Sequence, residues 1–179
     1  MRNFEIEKYS PCKEAINFRE QYASFEEAWN NCPRGDWMLW IAQKVGVNLQ
    51  TLTLAKALCA NTVRHLMKDE RSRNAIDVAL RFGNNQATIE ELDAAAYDAY
   101  AAAYAAYDAY DATYADAAVD TAAAYAADTA AYTADDTAAY ADAADTAAIF
   151  NKNKNKNRLE TANICREILT EEVFKLINK

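Results

Sequence analysis

Residues Ala94–Ala148 constrain this chain more than any other stretch. Their 55 positions hold 29 Ala, 10 Asp, 9 Tyr, 6 Thr and one Val, with no Gly, no Pro and no cation. Ala is the strongest helix former, and over so long a window its small preference per residue sums to a helix prediction. One continuous helix of this length would run about 82 Å at 1.5 Å per residue. A compact domain of this chain length has a radius of gyration of about 16 Å. The tract is therefore expected to fold back on itself as a helical hairpin.

Two patterns divide it. Tyr97, Tyr100, Tyr104, Tyr107 and Tyr114 step by three and four along one helical seam, with a skip at Asp111. From Asp120 the unit becomes Asp-Thr-Ala-Ala, beginning again at Asp128, Asp136 and Asp145. A break near Tyr114–Asp120 is expected, with Asp116 or Asp120 capping the second helix. Ala faces let helices approach closely, and Tyr hydroxyls and Asp carboxylates can pair across them.

The chain on either side supplies the core. Ser10-Pro11 reads as a helix start, Ser24 and Glu27 as a capping box, and Asp36 as the cap of the apolar helix Trp37–Ala42, which Gly46 ends. That helix is expected at the buried centre of the N-terminal half. Asn48 opens a longer helix with a stripe at Leu52, Ala55, Leu58, Cys59, Val63, Leu66 and Met67. Thr88 and Glu91 form a second capping box that launches the tract. Asn151–Asn157 alternates Asn and Lys and reads as a polar loop or frayed helix end. Residues 159–177 form a last amphipathic helix. Nothing reads as a strand. The expected fold is all-α, one domain over 1–179: a Trp-centred helical core over 1–87, the Ala/Tyr/Asp-rich hairpin over 88–150 packed against it, and a C-terminal helix over 158–178.

Charge narrows the partners. The net charge is −8, and the tract alone carries −10, which leaves the other 124 residues at +2. Such an acidic chain is a poor nucleic-acid binder and suits a basic protein partner. No apolar run is long enough to span a membrane, and the N-terminus lacks a signal-peptide pattern. Cys12, Cys32, Cys59 and Cys165 share no metal-ligand spacing and fall near apolar positions. Buried thiols in a reducing cytoplasm are the expectation.

Little points to catalysis. His65 is the single histidine, and the chain has no phosphate loop, nucleophile elbow or metal-ligand cluster. His65 as a general base is weighed against a helix-surface or packing histidine, and the latter is preferred. The Asp rows lack EF-hand spacing, so a solvated acidic face is preferred to a cation site. No metal and no cofactor is expected, and the chain is not read as an enzyme. Arg34-Gly35-Asp36 spells an adhesion tripeptide, but its place in a turn favours a capping role. Two binding sites are carried forward. One is a partner-binding face of Tyr97, Tyr100, Tyr104, Tyr107, Asp108 and Asp111. The other, for a small anionic ligand, combines Arg64, His65, Lys68, Arg71 and Arg73 with Trp37; neutralising the acidic helices is the simpler role of its basic residues.

The segment Cys32-Pro33-Arg34-Gly35-Asp36-Trp37-Met38-Leu39-Trp40, with Pro11–Ala15 and Glu26–Trp29 before it, resembles a family of bacterial immunity proteins (Imm-5-like). Arg71–Ile76, Ala87–Leu92 and Ala162–Ile168 follow the same pattern, and the resemblance spans nearly the whole chain. It implies an all-helical protein that neutralises a toxin or effector by binding it. The family's Ala-rich helices often mix in Arg, whereas this tract has none. A phage-type anti-defence protein, either an acidic DNA-mimic decoy or a sponge for a small signalling ligand, is the alternative. A structural or ice-contacting Ala helix is a third class, which the Tyr content disfavours. A homodimer that completes the Ala surface fits any of these readings.

Overall fold

A computed structural model describes residues 4–67, 69–108 and 154–179. The Tyr114–Asp120 break, the Asp-Thr-Ala-Ala units, the closure of the hairpin, Asp111 and Lys68 lie outside the described residues. Those described form an all-α fold with no strand among them. The helices are α1 (Lys13–Arg19), α2 (Phe25–Asn31), α3 (Gly35–Val45), α4 (Leu49–Asn61), α5 (Glu70–Gly83), α6 (Ile89–Asp108) and α7 (Lys154–Ile177), with 3-10 turns at Ile6–Tyr9 and Arg64–Leu66. No described helix is long and apolar enough to cross a membrane.

Local chemistry sets most helix starts. The Ser24 hydroxyl accepts from Glu27 N–H at 3.0 Å, and the Glu27 carboxylate accepts from Ala23 N–H. Asn48 Oδ1 accepts from Thr51 N–H at 2.9 Å. At α6, Thr88 Oγ1 accepts from Glu91 N–H while Glu91 accepts from Thr88 N–H, a reciprocal capping box. Gly46 closes α3 at φ 89°, the left-handed conformation that suits Gly there.

Four local expectations need correction. Ser10 does not cap α1; it sits at φ 56° after the 3-10 turn, and α1 starts behind Cys12. Asp36 is not a cap either. α3 begins at Gly35, and Asp36 lies buried in its first turn, paired with the Arg34 guanidinium. His65 is in a 3-10 turn, because α4 ends at Asn61. The last helix begins at Lys154, earlier than its apolar stripe suggests. Cations in a first helical turn oppose the macrodipole. Packing overrides this: Asn157 is buried and accepts from Thr62 Oγ1 at 3.0 Å.

Two apolar cores meet at α4. In one, Ala57, Ala60 and Val63 join Ala75, Ile76, Ala79 and Phe82 of α5 and Leu92, Ala95, Ala96 and Ala99 of α6. In the other, Leu52, Ala55 and Cys59 join Trp29, Met38, Leu39, Ile41 and Ala42 with Ala162, Cys165, Leu169 and Val173 of α7. Small residues bring the backbones together. A Cβ on Gly83 would lie 2.6 Å from Leu54 Cβ and one on Gly35 2.6 Å from Thr161 Oγ1, so α5 crosses α4, and α3 crosses α7, at backbone contact. The second core is Trp-centred only in part. Trp29 is buried and donates Nε1–H to Thr170 Oγ1 at 2.8 Å, whereas Trp37 and Trp40 are partly exposed.

Candidate functional site

α6 has two unlike faces. Leu92, Ala95, Ala96, Ala99 and Ala102 recur at spacings of three, one, three and three, and all are buried, the first four against α5. The same helical period turns Glu90, Asp93, Tyr97, Asp98 and Tyr100 outward. Tyr97 is 74% exposed and Tyr100 43% exposed, the two most prominent exposed aromatic rings among the described residues. Small Ala side chains let α6 sit close to α5, which fixes the direction of the outward face. Tyr104, Tyr107 and Asp108 belong to the same helix by position, but their side chains lie outside the described residues.

The outward face holds its charge. A backbone amide at the helix start, then the Thr88 hydroxyl, hold Glu90 below the usual carboxylate range. The Thr88 amide and then Arg81 do the same for Glu91. Helix N-termini favour anions, so these two glutamates are well placed. Arg81 reaches Glu91 at 3.0 Å from α5, and Asp98 acts electrostatically on Arg71. The basic edge of α5 thus lies along the acidic edge of α6.

The proposed anion-binding residues are arranged differently. Arg64 grips Asp77 with two bonds of 2.6 and 2.8 Å, Arg71 pairs with Asp69 at 2.7 Å, and Arg73 pairs with Glu70 and donates to Met67 O. The bond with Asp77 pushes Arg64 further up, and the bond from Arg71 holds Asp69 down. Each of these guanidiniums therefore already faces a carboxylate, and an incoming anion would have to displace it. His65 is exposed in the 3-10 turn beside them. Trp37 packs in the other core, with Arg34 over its ring at 4.8 Å and Phe18 at 5.8 Å. The structure brings Arg64 and Arg73 together, turns Arg71 toward Asp69 and Asp98, and places Trp37 elsewhere.

A pocket of about 50 Å³ opens beside Trp37, walled by Phe18, Arg19, Phe25, Trp29 and Trp40, and its surface is almost wholly apolar. It is too small and too apolar to hold a charged signalling molecule. The Cys32–Trp40 motif explains itself as packing. Cys32 Sγ donates to Arg34 O, Arg166 Nη1 donates to Cys32 O at 2.7 Å, and Gly35 leaves room for Thr161. Gly35 and Asp36 are buried, which removes the adhesion tripeptide from the surface. Among the described residues no group of three His, Cys, Asp or Glu side chains could hold a metal ion.

The sequence reading missed Glu90, Asp93 and Asp98 as members of the tyrosine face. They lie seven, four and one positions from Tyr97, spacings that carry the signal; Glu90 and Asp93 precede the tract that begins at Ala94, and Asp98 lies inside it but off the tyrosine seam. No family model, curated protein or solved structure matches the chain.

Proposed function

We propose that this protein is a non-enzymatic, immunity-type inhibitor that binds a basic toxin or effector through the outward face of α6. The observation that carries this reading is Tyr97, 74% exposed on a rigidly backed helix among Glu90, Asp93 and Asp98. Tyr offers large contact area with few torsions to freeze and is favoured at binding hot spots. Carboxylates around it steer a basic partner and set its orientation. The resemblance of the Cys32–Trp40 segment to immunity proteins supports the same role.

The test compares wild-type protein with Tyr97→Ala/Asp98→Lys as immobilised bait and as a neutralising agent for the captured protein. The expected result is one basic protein, retained at low salt by wild type alone, whose toxic activity the wild type suppresses. The variant should lose at least tenfold in affinity while its far-ultraviolet circular dichroism is unchanged. Equal binding by the variant would remove α6 from the interface. Capture of a host defence protein would replace immunity with the anti-defence role, and capture of a nucleotide alone would overturn both.

A further inference from the structure

The contact between α4 and α7 holds a feature that partner binding does not use. Cys59 and Cys165 are 3% and 0% exposed, and their Sγ atoms lie 4.0 Å apart although the residues are 106 positions apart in sequence. Both remaining thiol contacts are backbone carbonyls: Cys59 Sγ faces Thr161 O at 3.8 Å, and Cys165 Sγ faces Gly35 O at 3.5 Å. Gly35 and Ala162 keep the surroundings small, so α3, α4 and α7 converge at backbone range around the sulfurs. A disulfide needs sulfurs about 2.05 Å apart on Cβ atoms about 3.8 Å apart. Closing the 4.0 Å gap takes a movement of roughly 1 Å by each sulfur.

We propose that Cys59 and Cys165 form an intramolecular disulfide under oxidising conditions, a reversible staple that locks α7 onto α4. The ring it closes contains α5, α6 and the Ala-rich tract. With a small organic disulfide RSSR as oxidant, one protein thiol loses its proton and its thiolate attacks a sulfur of RSSR. That S–S bond breaks, and RS⁻ leaves and takes up the proton as RSH. The second protein thiol then loses its proton and attacks the protein sulfur of the mixed disulfide, forming the Cys59–Cys165 bond and expelling the second RSH. Two protein thiols are oxidised while RSSR is reduced to two RSH. The hydrogen bond with Cys59, and then burial, hold the Cys165 thiol well above its ordinary range, so the closed protein reacts slowly. Reaction therefore follows brief separation of α7 from α4. A cross-link across so long a loop removes much freedom from the unfolded chain, and the oxidised form should be the more stable.

The experiment uses the full chain carrying Cys12→Ser, which removes the exposed thiol. It is incubated with oxidised glutathione at neutral pH, in urea kept below the unfolding midpoint. The expected product has lost two hydrogens by intact mass, yields a Cys59–Cys165 peptide on digestion, and migrates faster on a non-reducing gel. Its thermal midpoint should rise by several degrees and return with dithiothreitol. Cys165→Ala should abolish the cross-link, although the peptide map itself needs no core substitution. A cross-link to Cys32, glutathione adducts alone, formation only above the unfolding midpoint, or a lowered thermal midpoint would each overturn the proposal.

Discussion

Lys56 lies on the inward side of α4, 5% exposed, with Leu52 and Ala60 one turn away on either side. Burial pushes its ammonium from the ordinary 10.5 down to about 8, and among the described residues no carboxylate pairs with it. A folded-state value below the unfolded one means that the unfolded chain binds the extra proton. Stability should therefore rise as pH climbs from about 8 to 10.5, with the full cost of charge burial present below about 8. The difference corresponds to roughly 3 kcal/mol. Lys56→Met keeps the length of the side chain and removes the charge, so it should stabilise the fold at pH 7 by about 1–3 kcal/mol. Urea titrations at pH 7, 8.5 and 10 check this; an equal pH slope in both proteins would sink it. Residue type hides this position: a lysine in a helix reads as surface, although Leu52, Ala55 and Cys59 of the apolar stripe stand at i−4, i−1 and i+3 from it. Only two cores, one on each flank of α4, widen the buried arc enough to enclose it. Gly35 is a similar case, since its partner Thr161 is remote in sequence.

At the scale of elements, features that depend on three or four consecutive residues were legible. The capping boxes at Ser24–Glu27 and Thr88–Glu91, the Asn48 cap and the Gly46 stop are chemistry within one helical turn. The start of α7 was not legible because Thr62, 95 residues away, helps decide it. Asp36 and Ser10 were misread because a neighbour competes for each, Arg34 for the carboxylate and the 3-10 turn Ile6–Tyr9 for the backbone. The tyrosine face of α6 stands between these cases. Its periodicity was plain, but its direction depended on α5 meeting the Ala side. The cap gives this face its footing, since Thr88 satisfies the Glu91 amide and Glu91 ties back to Arg81. Thr88→Ala should cost about 1 kcal/mol, as cap removals do. Amide exchange should accelerate most in the first turn, Glu90–Leu92, and little at Ala99. Uniform acceleration along α6 would mean that packing on α5, and not the cap, sets where the helix frays.

For the whole molecule, charge gives folding and binding opposite responses to salt. Ten aspartates within 55 residues have no cation among them, and the net charge is −8. Such self-repulsion opposes compaction and is screened by salt, with a Debye length of about 10 Å at 0.1 M and about 3 Å at 1 M. Salt also weakens the surface pairs Arg64–Asp77, Arg71–Asp69, Arg73–Glu70 and Arg81–Glu91. Exposed pairs contribute only about 0–1 kcal/mol each, and several of these side chains are a third or more exposed. The unbalanced carboxylates are more numerous, so relief of repulsion should win, and the thermal midpoint should rise between 20 mM and 500 mM sodium chloride. Association through the acidic face of α6 should move the other way, with the on-rate falling by about tenfold or more over that range. A thermal midpoint that falls with salt would show that the ion pairs dominate the fold. A rising midpoint with salt-insensitive association would leave the fold as described and place the interface on the apolar surface of another element. The two titrations on one sample therefore separate what charge does to the folded chain from what it does for a partner.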